Sequence, residues 1–170
     1  MLVSPKERKL LIIENVFGQT EVRETLAKVL FRHFEVSSVL FVPSHMISLS
    51  ALAVSTSVVV DMGYSETSVM PVYSGVQIMP AFKDQAFGGH LVEAELKRQL
   101  LEAGVQEDLL TQRVLEDIKV RTCFVTTLER AQAYKSGNQP TPPPAIEYAL
   151  SNEILNITGK MRETAFEIFF

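Results

Sequence analysis

Val58–Gly75 reads VVVDMGYSETSVMPVYSG, and its reading decides the fold. Three β-branched residues run into Asp61, a short polar turn follows from Met62 to Glu66, and Thr67 to Tyr73 forms a second extended run closed by Ser74-Gly75. The pattern is that of a β-hairpin with an acidic residue at its tip and a glycine that lets backbone approach a ligand. Backbone N–H groups in such a turn can cradle a phosphate, and a carboxylate there can hold a metal ion or its water. A plain solvated turn has the same sequence signature, so the hairpin alone does not choose between them.

Upstream, Lys9 to Ile13 predicts a buried strand. Thr20 to Phe34 predicts a helix, with Thr20 at the N-cap and Val22, Leu26, Val29, Leu30 and Phe34 as its apolar stripe. Val39 to Val42 predicts another strand, and Pro43 introduces a short helix from Ser44 to Ala53. Downstream, Gly88-Gly89 precedes an amphipathic helix from His90 to about Ala103, and Val114 to Phe124 predicts a further helix. Pro140 to Pro144 (PTPPP) reads as an extended loop, and Glu153 to Ile157 as a strand ending in a Thr158-Gly159 turn. Alternating strands and helices argue an α/β protein.

Composition narrows the function classes. At 170 residues with 46% hydrophobic and 21% charged, the chain is globular in character and long enough for a substantial core. A formal charge of −4 provides no long-range attraction to nucleic acid or to an anionic membrane. The single cysteine, Cys123, excludes an internal disulfide and suits a reducing compartment. The charged start (Lys6 to Lys9) precedes an apolar run too short for a signal-peptide core, so secretion is not indicated. Val36 to Val60 lacks Lys, Arg, Asp and Glu over a bilayer-spanning length. Its proline, its histidine, its many serines and the strand formers at both ends read instead as a buried strand, turn, short helix and buried strand.

The common catalytic signatures are absent: no Walker loop, no nucleophile elbow, no Cys/His metal spacing. His33, His45 and His90 are dispersed and read as surface or packed residues. Cys123, between Thr122 and Phe124, reads as a small core residue. Glu93, Glu95, Lys97 and Arg98 read as a solvated helix face with local ion pairs.

Six segments in order carry a resemblance: LLIIEN at Leu10–Asn15, RETLAKVLFRHF at Arg23–Phe34, the hairpin VVDMGYSETSVMPVYSG at Val59–Gly75, FGGHL at Phe87–Leu91, EDIKVRTCFV at Glu116–Val125, and EYALSNEILNITG at Glu147–Gly159. Together they resemble the actin family, and PSHMISL (Pro43–Leu49), EDIKVRTCFV and PTPPP favour its branch at the pointed end of dynactin. The resemblance implies an actin-like fold, of ribonuclease H-like and sugar-kinase architecture, lacking the first phosphate hairpin and the C-terminal part. Residues 1–55 would then be the end of a small-lobe subdomain and a linking helix. Residues 56–86 would be the second phosphate hairpin and the start of the large lobe, and 87–170 the outer extension of that lobe. A fragment, an isoform and a truncated gene model all fit this reading.

By resemblance, Asp61 would act on a metal ion through water, Gly63 would let a phosphate approach, and Lys119 would lie beside the nucleotide, with ATP or ADP and magnesium as cofactors of the full-length protein and none assigned to this chain alone. The departures fall at the same place. Tyr64 and Ser65 replace an acidic residue and a glycine, making the turn bulkier and less permissive of positive φ. Ser44 stands where a glutamine orients attacking water, and Val120 where a glutamate binds ribose. The residue-level reading of Lys119 is a solvated helix position. This erosion favours a non-catalytic structural subunit over an ATPase. The implied partners are the actin-related filament subunit and pointed-end capping subunits of dynactin, and indirectly dynein, in the cytoplasm and cytoskeleton. The alternatives are an actin-like ATPase, another actin-related protein such as a chromatin-remodelling subunit, or a different protein of the same architecture.

Overall fold

The computed structural model describes residues 4–150 and 153–170; residues 151 and 152, inside EYALSNEILNITG, and residues 1–3 lie outside the described residues. The chain divides into two compact units, Met1–Asp61 with Ser68–Asp84, and Met62–Thr67 with Gln85–Phe170.

The first unit begins with β1 (Lys9–Glu14), α1 (Thr20–Arg32) and β2 (Ser38–Pro43). β1 and β2 pair in parallel, from Lys9 opposite Ser38 to Glu14 opposite Pro43, with α1 as the crossover that parallel pairing requires. α1 starts one residue earlier than its capping signal suggested. Gln19 is the extended N-cap and Thr20 is already helical, so its hydroxyl caps nothing. The apolar stripe is regular but uncovered, since no residue of α1 is buried and Val22 and Val29 are exposed.

α2 (Ser44–Ala51) follows Pro43 directly, and β3 (Ser57–Met62) enters the hairpin. β4 (Thr67–Tyr73) returns and pairs with β5 (Val76–Gln77); β6 (Lys83–Gln85) also pairs with β4. Ser74 and Gly75 both have positive φ, 48° and 77°, the requirement of a two-residue turn matching strand twist. The core of this unit is Leu49, Met70 and Val72 with Val16, Met46, Val59 and Phe82 around them. The segment Val36–Val60 is therefore only partly core. Val36, His45 and Leu49 are buried, whereas Leu40, Val58 and Val60 are exposed on alternating strand positions. No helix among the described residues is long and apolar enough to cross a membrane.

The second unit is helical, with one further pair of strands. α3 (Gly89–Glu102) and α4 (Gln112–Thr122) pack together, α5 is Leu128–Lys135, and α6 is Gly159–Thr164. β7 (Ile146–Leu150) and β8 (Glu153–Ile157) are antiparallel, with Tyr148 opposite Leu155. Leu96 and Leu100 of α3, Ile118 of α4 and Ile157 of β8 are fully buried and form the centre of the core. Three elements here, α5, β7 and α6, have no counterpart in the sequence reading. Thr158-Gly159 is not a free turn: the Thr158 hydroxyl accepts the Met161 amide and caps α6. The terminal Phe169 is not loose, because its ring lies 4.5 Å from that of Phe87, while Ile168 and Phe170 are exposed.

Candidate functional site

In the first unit, α2 begins at the end of β2 and carries Ser44 into its first turn. The Ser44 hydroxyl donates to Asp61 Oδ2 at 2.9 Å. Neighbouring His45 is buried, its Nε2 2.5 Å from Gln77 Nε2. Burial pulls the His45 imidazole below its usual value, against an opposing pull from Asp61.

In the second unit, the hairpin tip is clamped by its own backbone. Gly63 N–H donates to Glu66 O at 2.9 Å, so the amide that would approach a phosphate is spent inside the turn. Gly63 O accepts the Gly89 amide and Tyr64 O accepts the His90 amide, both at 3.0 Å, and His90 Nδ1 lies 2.8 Å from the same oxygen. The hairpin carbonyls thus satisfy N–H groups that the first turn of α3 would otherwise leave open. Gly88 makes this docking sterically feasible, since a Cβ there would lie 2.5 Å from Tyr64 O and 2.6 Å from Gly63 O. Neither Tyr64 nor Ser65 has positive φ. The turn is bulkier than a glycine-bearing one, as the sequence indicated, but it makes no demand for left-handed backbone at those residues.

Above the tip lies a connected polar set. Gln112 Nε2 donates to Tyr64 Oη at 2.7 Å, Tyr64 Oη donates to Glu93 Oε2 at 3.0 Å, and Lys119 Nζ donates to Glu93 Oε1 at 2.6 Å. Lys119 Nζ also stands 5.8 Å from the Tyr64 ring centroid, within cation–π range. Burial first, then the Glu93 carboxylate, pushes the Tyr64 phenol above its usual value. The Glu93 side chain is only 5% exposed and that of Lys119 15%.

Two sequence readings are corrected here. Glu93 is not part of a solvated face, and Lys119 is not a solvated helix residue. They form a largely buried pair joining α3 to α4. Glu95 and Arg98 do form the expected local ion pair, with Glu102 on the other side of Arg98.

Beside this network is a cleft of about 290 Å³ lined by Met62, Gly63, Gly89, Lys119, Val120, Cys123, Phe166 and Phe169. Among the described residues, Lys119 is the one charged residue in that lining. Val120 is exposed and has no side-chain hydrogen-bonding group. Burial pushes the Cys123 thiol up, and the residue packs against the core, as a structural cysteine does. Among the described residues no cluster of three or more His, Cys, Asp or Glu side chains is arranged to hold a metal ion.

The structure therefore brings Gly63 and Lys119 into one cleft and joins Asp61 to Ser44. Sequence reasoning missed Glu93, Gln112, Phe166 and Phe169 as parts of the site. One usable signal was present: Glu93 lies four residues after Gly89, on the same helix face as the glycine that meets the hairpin.

Within the second unit, the hairpin tip Met62–Thr67 is hydrogen-bonded to the first turn of α3, and Lys119 of α4 lies in the adjoining cleft. A family model described as Actin matches residues 1–170, and the chain belongs to the actin family. It is 35% identical over 98 residues to Actin-related protein 10 of Dictyostelium discoideum, covering 58% of this chain and 20% of that protein. It is 25% identical over 154 residues to Actin-related protein 4 of Candida albicans, covering 91% of this chain and 32% of that protein. To Centractin of Saccharomyces cerevisiae it is 32% identical over 93 residues, covering 55% and 24%. The chain thus spans between a fifth and a third of the length of these relatives.

Proposed function

We propose that this chain belongs to a non-catalytic, structural actin-related subunit at the pointed end of a dynactin-type filament, acting in dynein-driven transport in the cytoplasm. The observation that carries the non-catalytic part is the Ser44–Asp61 hydrogen bond of 2.9 Å. The side chain at the position where resemblance expects a water-orienting glutamine is short and turned onto the carboxylate. Phosphoryl transfer depends on positioning and electrostatics, and here the positioning group is directed elsewhere. The similarity to Actin-related protein 10 supports the branch.

In this reading residues 1–55 are the end of the small-lobe subdomain and a linking helix, 56–86 the second phosphate hairpin and the start of the large lobe, and 87–170 the outer extension of that lobe. In the full-length protein ATP or ADP with magnesium would meet Gly63 and Lys119 of the second unit; for Asp61 of the first unit the resemblance implies a role on a metal-bound water. The fit is partial, because the Gly63 amide is bonded within its turn, Lys119 is paired with Glu93, and Val120 replaces a ribose partner. A retained shape with eroded ligand groups suits a subunit that joins a filament end once and remains.

Affinity purification of the tagged protein from its own cells tests the role. Stoichiometric recovery of an actin-related filament protein and pointed-end subunits is the expected result. Recovery of chromatin-remodelling subunits, or of no partner, would move the assignment to another actin-related branch.

A further inference from the structure

The loop Pro140–Pro144 (PTPPP) lies between α5 and β7 in the second unit, and its carbonyls hold it there. Arg130 Nη2 donates to Thr141 O at 2.9 Å, Arg162 Nη1 donates to Pro144 O at 2.6 Å, and a Cβ at Gly159 would overlap the Pro143 carbonyl. With these carbonyls turned inward, Thr141, Pro142 and Pro144 are exposed. Thr122, Thr126, Thr158 and Thr164 of the same unit all use their hydroxyls in hydrogen bonds. Among the described residues, none bonds the Thr141 hydroxyl. Arg130 links this loop to the interior: its Nε and Nη2 also donate to the Glu163 carboxylate, which is 1% exposed. Nη1 serves none of these bonds, which leaves one edge of a half-exposed guanidinium open.

We propose that Thr141 is a phosphorylation site for a proline-directed protein kinase, and that its phosphate closes on Arg130 and locks the loop onto α5. Pro142 has no N–H and biases Thr141 toward extended backbone. A kinase groove that offers no acceptor to the amide after the target residue therefore takes this peptide without leaving a donor unpaired. The chain's other Ser/Thr-Pro step, Ser4-Pro5, opens a 3-10 turn at Pro5–Glu7, which puts helical backbone where such a groove needs extended chain. In the transfer, Thr141 Oγ1 attacks the γ-phosphorus of ATP, and the new O–P bond forms as the bond to the bridging oxygen breaks. ADP leaves with that electron pair, and the hydroxyl proton passes to the kinase's carboxylate base. The phosphothreonine carries a charge of about −1.5 to −2 and three acceptor oxygens. It sits on the residue whose carbonyl Arg130 already holds, so the open Nη1 edge receives it while Nε and Nη2 keep Glu163. Guanidinium–phosphate bonds are among the stronger hydrogen bonds in proteins.

The tagged protein, purified with its assembly, is incubated with a mitogen-activated protein kinase and magnesium-ATP, and the sites are read by peptide mass spectrometry. Thr141 should be modified about tenfold or more faster than Ser4, and Pro142→Ala should slow Thr141 by a similar factor. No phosphate at Thr141, a faster Ser4, or a Pro142→Ala variant modified as fast as wild type would overturn the site. Hydrogen exchange then reads the lock: phosphorylation should slow the α5 amides by about threefold or more, and Thr141→Val treated in the same way should show no change. Unchanged or faster exchange in α5 on phosphorylation would overturn the lock. Arg130→Lys keeps a charge for Glu163 but has no second edge, so phosphorylation should no longer slow α5 in that variant. Equal slowing there would remove Arg130 from the proposal; if that variant fails to fold, the wild-type and Thr141→Val exchange decides. None of these readouts depends on which partners the assembly holds.

Discussion

The Ser44 hydroxyl donates to the Asp61 carboxylate across 2.9 Å, linking the first turn of α2 to the end of β3. The geometry directs the hydroxyl at the acid and leaves the serine too short to extend past it. A group that positions water for attack on a phosphate needs reach as well as polarity. The protein with magnesium and ATP should release phosphate no faster than a heat-denatured control. Release clearly above that control in a colorimetric phosphate assay would refute the non-catalytic assignment. Ser44→Ala should also leave release at background and change stability by no more than about 0.5 kcal/mol, because the pair is exposed.

Much of the architecture was legible in the sequence, for identifiable reasons. β1, β2, α2 and the hairpin strands are bounded by strong local signals such as Pro43 and Ser74-Gly75, and local signals survive without tertiary knowledge. α5 was not legible: LERAQAYK has weak amphipathicity, and its one buried residue is Ala131. β7 was masked by its neighbourhood, since IEYAL follows a proline-rich loop and gains strand geometry only by pairing with β8. Gly63 and Lys119 were found through motif resemblance. Glu93 was misread because it sits among the charges Glu95, Lys97 and Arg98, which form ion pairs at half-buried or exposed positions, and charge alone does not reveal which helix position faces a partner. Its burial depends on α4 bringing Lys119 across, a non-local fact.

Gly88 and Gly89 should respond very differently to the same added methyl. A Cβ at Gly88 would press on two backbone carbonyls of the hairpin tip, at 2.5 and 2.6 Å, and that backbone cannot move without breaking the hydrogen bonds that those carbonyls accept from the Gly89 and His90 amides. At Gly89 the nearest atom is Lys119 Nζ at 3.3 Å, the far end of a flexible side chain. Gly88→Ala should cost about 2–3 kcal/mol and Gly89→Ala less than about 1 kcal/mol. Thermal melts of the two variants check this, and equal losses would show that the hairpin tip is not clamped as described.

Glu163 should govern acid sensitivity in the second unit. Its side chain is 1% exposed and is bonded by Arg130, Thr126 and Tyr134. The Arg130 guanidinium, then the Thr126 and Tyr134 hydroxyls, hold its carboxyl well below the usual range, at about 2, against an opposing push from burial. An unfolded glutamate titrates near about 4.3. Because the folded value is the lower one, the stabilisation is fully present above about pH 4.3 and is lost as pH falls toward 2. Glu163→Gln should destabilise by about 3 kcal/mol at neutral pH, since it removes the charge that holds the buried side chain's bonds from Arg130, Thr126 and Tyr134. Melts from pH 7 down to pH 2 should show the gap between wild type and variant shrinking in that window. A gap constant with pH would mean the carboxylate charge is not what stabilises this site.

The two units should differ in intrinsic stability when the 170-residue chain is made alone. In the first, Leu11 and Ile13 of β1 are 50% and 55% exposed, and Leu40, paired with Leu11, is 58% exposed. Their sheet has two strands, and no residue of α1 is buried. A two-stranded sheet with one apolar face exposed and the other only half-buried is marginal in water, and adjacent exposed aliphatic side chains promote association. In the second unit Leu96, Leu100, Ile118 and Ile157 are fully buried in one cluster, enough apolar burial to sustain cooperative structure. The isolated chain should therefore be poorly soluble and bind a hydrophobic dye, with amides of α3 and α4 protected from hydrogen exchange far longer than those of β1 and α1. Comparable protection in both, with a single sharp melt and no dye binding, would show that the first unit is stable with its apolar sheet face and α1 stripe in water.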